Sequence, residues 1–376
     1  MARLAVACAV VLALVGCGGA SHGEAAKAPG PRLTPKVARA LDAGLAERVR
    51  ATGVPGASAA VVFPDGREWS GAAGYAVLHP RRPMTTATTL PFDSVTKVVT
   101  ASVAMRLVEQ RKLSLDDPIR RWYPAWRGDP AATVRDLLGH TSGMHDPPPR
   151  FFDMPVRHAG RLMSPARFVA AAGKPGPRTT QAQYSNAGFM VAGMILQRAA
   201  GEPVATVARR ELFDHPGGAG LAFQPAETPA APHAHSYWHP DIVGRRVDAN
   251  DGGPLIPSRA FATTAGTAGA LAGDVPSLAR WASELLGGRI LKPASLREMT
   301  RFHFGDSWDG YGLGLAKWTV VDGHLMWGHT GDGIGTHTEL WYLPKKHLTV
   351  AVTTNDDAVN FDGQFLPMLV RAALGG

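Results

Sequence analysis

Cysteine is almost missing from this chain: its 376 residues contain two, Cys8 and Cys17, both near the start. Beyond residue 17 there is no thiol to form a disulfide, hold a metal or attack a substrate. Concentrated charge is missing too. The net charge is +8, yet the excess basic residues are spread along the chain, with no Lys/Arg run and no basic–aromatic stripe. That speaks against a nucleic-acid reader and leaves a mild attraction to anionic surfaces such as membrane lipid or wall polymer. H-E-x-x-H does not occur, and the one G-x-S-x-G, Gly19–Gly23, falls in the small, polar stretch just after Cys17 and not between a strand and a helix, which removes a zincin reading and weakens an α/β-hydrolase one. Internal repeats are absent. What is plentiful is apolar side chain, 45% of residues, against 19% charged, so a large core can be buried.

The first residues carry an address. Arg3 precedes an apolar stretch, Leu4 to Val15, too short to span a bilayer. It ends in Leu14-Val15-Gly16-Cys17, which resembles the lipobox of bacterial lipoproteins, where cleavage before the Cys is followed by acylation of its thiol. The expectation is an exported bacterial lipoprotein on the extracytoplasmic face of the cell membrane. Residues 1–16 would be a signal peptide, Cys17 the lipidated residue and residues 17–34 a flexible Pro/Gly-rich tether. Several acyl chains hold firmly, each buried methylene contributing roughly 0.8 kcal/mol. The bland alternative is an ordinary secretory signal.

From there the pattern alternates. Thr34-Pro35 reads as an N-cap and a first helical residue, Val37, Leu41, Leu45 and Val49 line one face, and Gly53 and Pro55 stop the helix. Ala57–Phe63 and Glu68–Tyr75 read as a hairpin about Pro64-Asp65-Gly66. The middle is mostly helical pattern joined by Pro-rich loops, with helices expected at Ser94–Arg111, from Asn186 to a Gly201 cap, and at Val275–Leu286. Strands return at His324–His329, Thr336–Tyr342 and Leu348–Thr354, and a helix over Phe361–Leu374 closes the chain. The ends therefore supply a sheet region, 35–93 and 301–376, around a helical region, 94–300.

Three short motifs carry chemistry. In Ser94-Val95-Thr96-Lys97 the i, i+3 spacing at the start of a helical pattern puts a hydroxyl and an amine on one face. The helix N-terminus favours a developing alkoxide, and a desolvated Lys loses its proton more readily than in water. No other Ser here has a Lys three residues later. In Tyr184-Ser185-Asn186 a phenol can act as base and then acid while the amide orients Lys and substrate; the competing reading is a loop Tyr with an Asn N-cap. In His329-Thr330-Gly331 the Gly permits close approach of a substrate backbone and the Thr offers a hydroxyl. The N–H of the following Asp332 is placed to join that of Ser94 in an oxyanion hole; the competing reading is a strand-to-turn junction.

In this order the motifs resemble those of the serine penicillin-recognising family, most closely the class C β-lactamases and actinomycete D,D-carboxypeptidases. Leu137-Leu138-Gly139-His140-Thr141-Ser142-Gly143, Tyr311-Gly312-Leu313-Gly314 and the stretch from Trp341-Tyr342 to Asn355 extend the resemblance over residues 35–376. It implies an α/β (α+β) fold: an antiparallel, five-stranded-type sheet flanked by N- and C-terminal helices, with an inserted all-helical region and a cleft between. It also implies that Ser94 is acylated, that Lys97 and Tyr184 share the proton transfers with the base left open, and that Asn186 orients the substrate. His329, standing for the family's usual Lys, would titrate near neutral pH. No metal or organic cofactor is implied, only a small-molecule or peptide substrate. The oligomeric state stays open.

Two departures bear on substrate. Where the family's carboxypeptidases are expected to place an Arg for the terminal carboxylate, this chain has Ala316 followed by Lys317, and Asp332 would repel a carboxylate at close range. Ester or amide hydrolysis on uncharged or cationic substrates is expected ahead of D-alanyl-D-alanine carboxypeptidase or true β-lactamase action. The alternative from another class is an inactive, penicillin-binding-like interaction module. His233, His235 and His239 are read as loop or cleft rim ahead of a metal site, and Asp93 as an N-cap ahead of a catalytic acid.

Overall fold

The computed structural model describes residues 30–375 apart from 153, 241–244, 305–307 and 359–363. The expected signal peptide and Cys17 lie outside the described residues. Helix α1 (Pro35–Thr52) begins where Pro fixes φ and the Thr34 hydroxyl accepts the Val37 N–H at 3.2 Å, and it stops at Gly53, whose φ of +70° suits a residue without a Cβ. Val37, Leu41 and Leu45 form its buried stripe.

That stripe lies on a sheet of eight antiparallel strands. In chain order they are β1 (Gly56–Val62), β2 (Glu68–Leu78), β3 (Arg81–Pro83), β4 (Gly310–Tyr311), β5 (Ala316–Trp318), β6 (Met326–Gly333), β7 (Thr336–Leu343) and β8 (Leu348–Thr354). Their spatial order is β3-β2-β1-β8-β7-β6-β5-β4. The five long strands are contiguous, so the expected five-stranded sheet is the middle of this one, and three strands of two or three residues widen its edges. β1 is buried throughout, and its period of two separates two cores. Ala57, Ala59 and Val61 face α1 and the closing helix α6 (Leu366–Leu374); Ala60 and Val62 face the remainder of the molecule. The expected start of that last helix, Phe361, lies outside the described residues.

Helix α5 (Val275–Leu286), placed by sequence with the helical middle, covers the second face of the sheet through Leu278, Trp281 and Leu285. The helical region centres on α2 (Thr96–Glu109), buried on almost every side, with α3 (Asn186–Ala200) and α4 (Arg259–Gly269) packed against it. A small sheet, in which Leu271–Gly273 pairs with both Leu90–Asp93 and Leu221–Phe223, joins the two regions. β6 rests directly on Phe92: a Cβ on Gly331 would lie 2.2 Å from the Phe92 carbonyl oxygen. The close approach that Gly331 permits is therefore by the protein's own backbone, where a substrate's was expected.

Candidate active site

Ser94 follows the strand Leu90–Asp93 and precedes α2 by two residues. The Ser94 carbonyl accepts the Lys97 N–H at 3.0 Å, a tight i+3 turn that winds into the helix. The turn carries the Lys97 side chain back to the serine, with Nζ 2.9 Å from Ser94 Oγ. Nζ donates to Asn186 Oδ1 at 2.7 Å and to the Ala268 carbonyl at 2.8 Å. The second of these exists because α4 breaks at Gly266 (φ +45°, ψ −130°), so the carbonyls beyond it turn toward α2. Lys97 is fully buried, and burial draws its amine down to about 7 against the opposing pull of Asp146, Asp93 and Asp332.

Tyr184 donates its hydroxyl to Ser94 Oγ at 2.8 Å, and Lys97 Nζ lies 4.8 Å from its ring centroid. Loss of water around the hydroxyl pushes the phenol well above its usual range. The ring is held in a cage of His140, Trp308, Tyr311 and His329. Ser185, not Asn186, caps α3, its Oγ accepting the Gly188 N–H at 3.0 Å, which leaves the Asn186 amide to serve the site. Asp146, which the motifs do not include, accepts from Asn186 Nδ2 (2.8 Å), Ala187 N (2.8 Å) and Ser185 Oγ (3.1 Å). It stands three residues past Gly143, and that spacing is the only sequence signal it offers.

His329 departs from expectation. Its ring is fully buried; burial, reinforced by the Lys97 charge, takes it down to about 3, so it is neutral from pH 5 to 8 and does not titrate near neutrality. With Nδ1 against the Thr330 carbonyl, which can only accept, Nε2 is the bare nitrogen and accepts from the Tyr311 hydroxyl at 2.9 Å. Thr330 is buried opposite Glu339. Asp332 is exposed at the cleft and bonded at 2.7 Å to His337, whose imidazole is raised to about 10 by its bonds to Asp332 and Glu339 despite burial. The Asp332 charge is therefore matched by an imidazolium, which weakens the expected repulsion.

Asp93 is not a cap, since α2 has no side-chain cap. It sits at φ +49° with its carboxyl buried: Oδ2 accepts the Thr336 hydroxyl at 2.7 Å, and Oδ1 has no partner. Desolvation, with Asp332 adding to it, raises this carboxyl to about 7. The three loop histidines do not converge: His233 bonds Thr89, His235 bonds Asp248 and His239 bonds Asp357. Among the described residues the grouping able to hold a cation is His239, Asp356 and Asp357, where Asp356 is already bonded by Arg246 and the Ala358 N–H.

Ser94 and Asn186 open onto a cleft of about 240 Å³ with a largely apolar wall, to which Phe151, Phe152, Phe168, Met190, Trp238, Phe261 and Ile334 contribute. Asp93 and Asp332 also line it, and no Arg or Lys does among the described residues. Lys317 points elsewhere, its Nζ 5.9 Å from the Phe302 ring.

A mixed α/β fold with a serine, an amine and a phenol converging at one cleft defines a serine-hydrolase scaffold of the β-lactamase/transpeptidase type. The Beta-lactamase family pattern matches residues 38–375, and the chain belongs to that family. Penicillin-binding protein 4 of Amycolatopsis lactamdurans is 28% identical over 347 residues, 86% of this chain and 85% of that protein. Esterase EstB of Burkholderia gladioli is 35% identical over 114 residues, so the chain spans only 29% of that esterase's length. A D-stereospecific amidohydrolase from Streptomyces superposes with a TM-score of 0.75 at 26% identity, covering 89% of this chain and 98% of that one.

Proposed function

We propose that this chain hydrolyses esters or amides through an acyl-enzyme on Ser94, with Lys97 as the base. The observation that carries the reading is the set of three contacts at Lys97 Nζ. Two are to carbonyl oxygens, which only accept. A neutral amine has two N–H bonds and one lone pair, so the lone pair is left for the Ser94 hydroxyl. Burial keeps the amine neutral above about pH 7. As Ser94 Oγ bonds to the substrate carbonyl carbon, its proton passes to Nζ. Tyr184, still protonated, gives its proton to the departing amine or alkoxide as the C–N or C–O bond breaks, and takes one back from Lys97. The N–H groups of Ser94 and Asp332 serve the oxyanion. Water then replaces the leaving group and the transfers run in reverse.

The apolar cleft suits a bulky acyl portion, and the lack of a cation in its described lining disfavours a carboxylate. The names of the amidohydrolase and esterase relatives support amide or ester substrates; that of the penicillin-binding relative keeps D-alanyl-D-alanine peptides as the competing arm. Labelling with a fluorophosphonate tests the core of the reading. Expected is stoichiometric modification that S94A abolishes, and undiminished labelling of S94A refutes it. Localisation is part of the same proposal: Leu14-Val15-Gly16-Cys17 supports cleavage before Cys17 and its lipidation, with residues 18–34 as tether. Wild type is expected in the detergent phase on Triton X-114 partitioning and C17A in the aqueous phase; C17A remaining with detergent defeats the anchor.

A further inference from the structure

For the Lys97 lone pair to face Ser94, the Asn186 amide must present its oxygen, and not its nitrogen, to Lys97. Nothing in Asn186 itself dictates this, because the two ends of an amide are nearly the same shape. Asp146 decides it. Its carboxylate can only accept hydrogen bonds, so the end of Asn186 facing it at 2.8 Å must be Nδ2, and Oδ1 must face Lys97. The Asp146 carboxylate is fixed in turn by obligate donors. Its Oδ1 takes the backbone N–H of Ala187, and also the Ser185 hydroxyl, whose oxygen is already accepting from Gly188. We propose that Asp146 is a positioning residue that sets the polarity of the Asn186 amide and thereby turns the Lys97 lone pair onto Ser94. This rests on Ser94 being the nucleophile. The chain of contacts is short, Asp146 to Asn186 to Lys97 to Ser94, and every link in it has a direction.

The isosteric variant D146N makes the direction testable. In it the new amide must turn its oxygen to the Ala187 N–H, so its nitrogen faces Asn186. Two nitrogens cannot face each other, and the Asn186 amide reverses. Its Nδ2 then donates into the Lys97 lone pair, and Ser94 loses its base. The double variant D146N/N186D restores each donor–acceptor pair, since the carboxylate introduced at position 186 accepts both from the amide introduced at position 146 and from Lys97. It also brings a carboxylate into contact with the amine, which stabilises the cation and moves the acid limb to higher pH. The other groups facing Lys97 are Asp93 on the strand before Ser94, Asp332 on β6, and the imidazoles of His140 and His329; none is altered.

The experiment is the second-order rate of fluorophosphonate labelling from pH 6 to 10 for wild type, S94A, D146N and D146N/N186D, with a thermal melt of each. D146N is expected to react about a hundredfold more slowly than wild type, the scale of a misplaced catalytic group. The double variant is expected to recover at least about tenfold over D146N, with its acid limb above that of wild type. Labelling of folded D146N at the wild-type rate overturns the proposal, and so does a double variant no faster than D146N at any pH. If D146N does not fold, the double variant alone decides: recovered labelling with the raised limb supports the role, and its absence overturns it. Failure of the Ser94 reading looks different, as wild type unlabelled or S94A labelled equally.

Discussion

At the scale of single residues the site is governed by three buried ionisable groups that the motifs rank wrongly. The motif reading makes His329 the group that sets the pH response, yet the buried imidazole stays neutral, and Lys97, brought down to about 7, replaces it as the group that titrates in the working range. The same reading makes Asp93 an ordinary cap, and it is instead a buried carboxyl with one unpartnered oxygen. Burial raises its pKa from 3.8 to about 7. Between these values the folded chain holds a proton that the unfolded chain has lost, so stability falls as pH rises, and the full cost is present above pH 7. D93N keeps an oxygen for Thr336 and removes the charge. It is expected to raise the melting temperature at pH 8, the gain approaching about 4 kcal/mol before coupling to Lys97 reduces it. A markedly smaller gain is expected at pH 5. Equal shifts in thermal melts at the two pH values would show that the Asp93 carboxyl is not raised in the fold and is ionised at both, as in the unfolded chain.

At the scale of elements, legibility followed the range of the forces involved. The ends of α1 and the C-terminal end of α3 were readable because Thr34, Pro35, Gly53 and Gly201 act on their immediate neighbours. Four of the five long strands were readable close to their limits, while the one expected at His324–His329 runs over Met326–Gly333, and three short edge strands had no pattern of their own and exist only through their partners. The same division separates the site residues. Ser94 and Lys97 share one turn, and Tyr184 and Asn186 flank one cap, so their local geometry is written in their spacing. Asp146 acts on Asn186 from 40 positions away, His337 neutralises Asp332 across a hairpin, and Gly266 breaks α4 so that a carbonyl reaches Lys97. Those effects depend on which elements pack together, as does the seating of α5 on the sheet, and no local pattern encodes them.

At the scale of the whole molecule the cleft is a product of assembly. Phe151 and Phe152 come from a Pro-rich loop, Trp238 from a short hairpin, Phe261 from α4 and Ile334 from the turn after β6, so the apolar wall is invisible as a sequence run. Its chemistry nevertheless constrains what the reaction can select. In the proposed reaction the groups that move protons sit at the base and treat all acyl esters alike, so discrimination among acyl groups falls to the wall. Phe261 is only partly buried, and shortening it therefore costs the fold less than it costs a ligand pressed against it. Burying an aromatic side chain contributes about 1.5–3 kcal/mol, and losing roughly half of such a contact weakens binding about tenfold. F261A is expected to raise KM for a phenylacetyl ester about tenfold, to leave its kcat within about a factor of three, and to leave an acetyl ester of the same alcohol unchanged. Steady-state kinetics on the two esters separates this from a general disturbance of the site. An equal rise for both would mean that the acyl group lies elsewhere and that the apolar wall serves the leaving group instead.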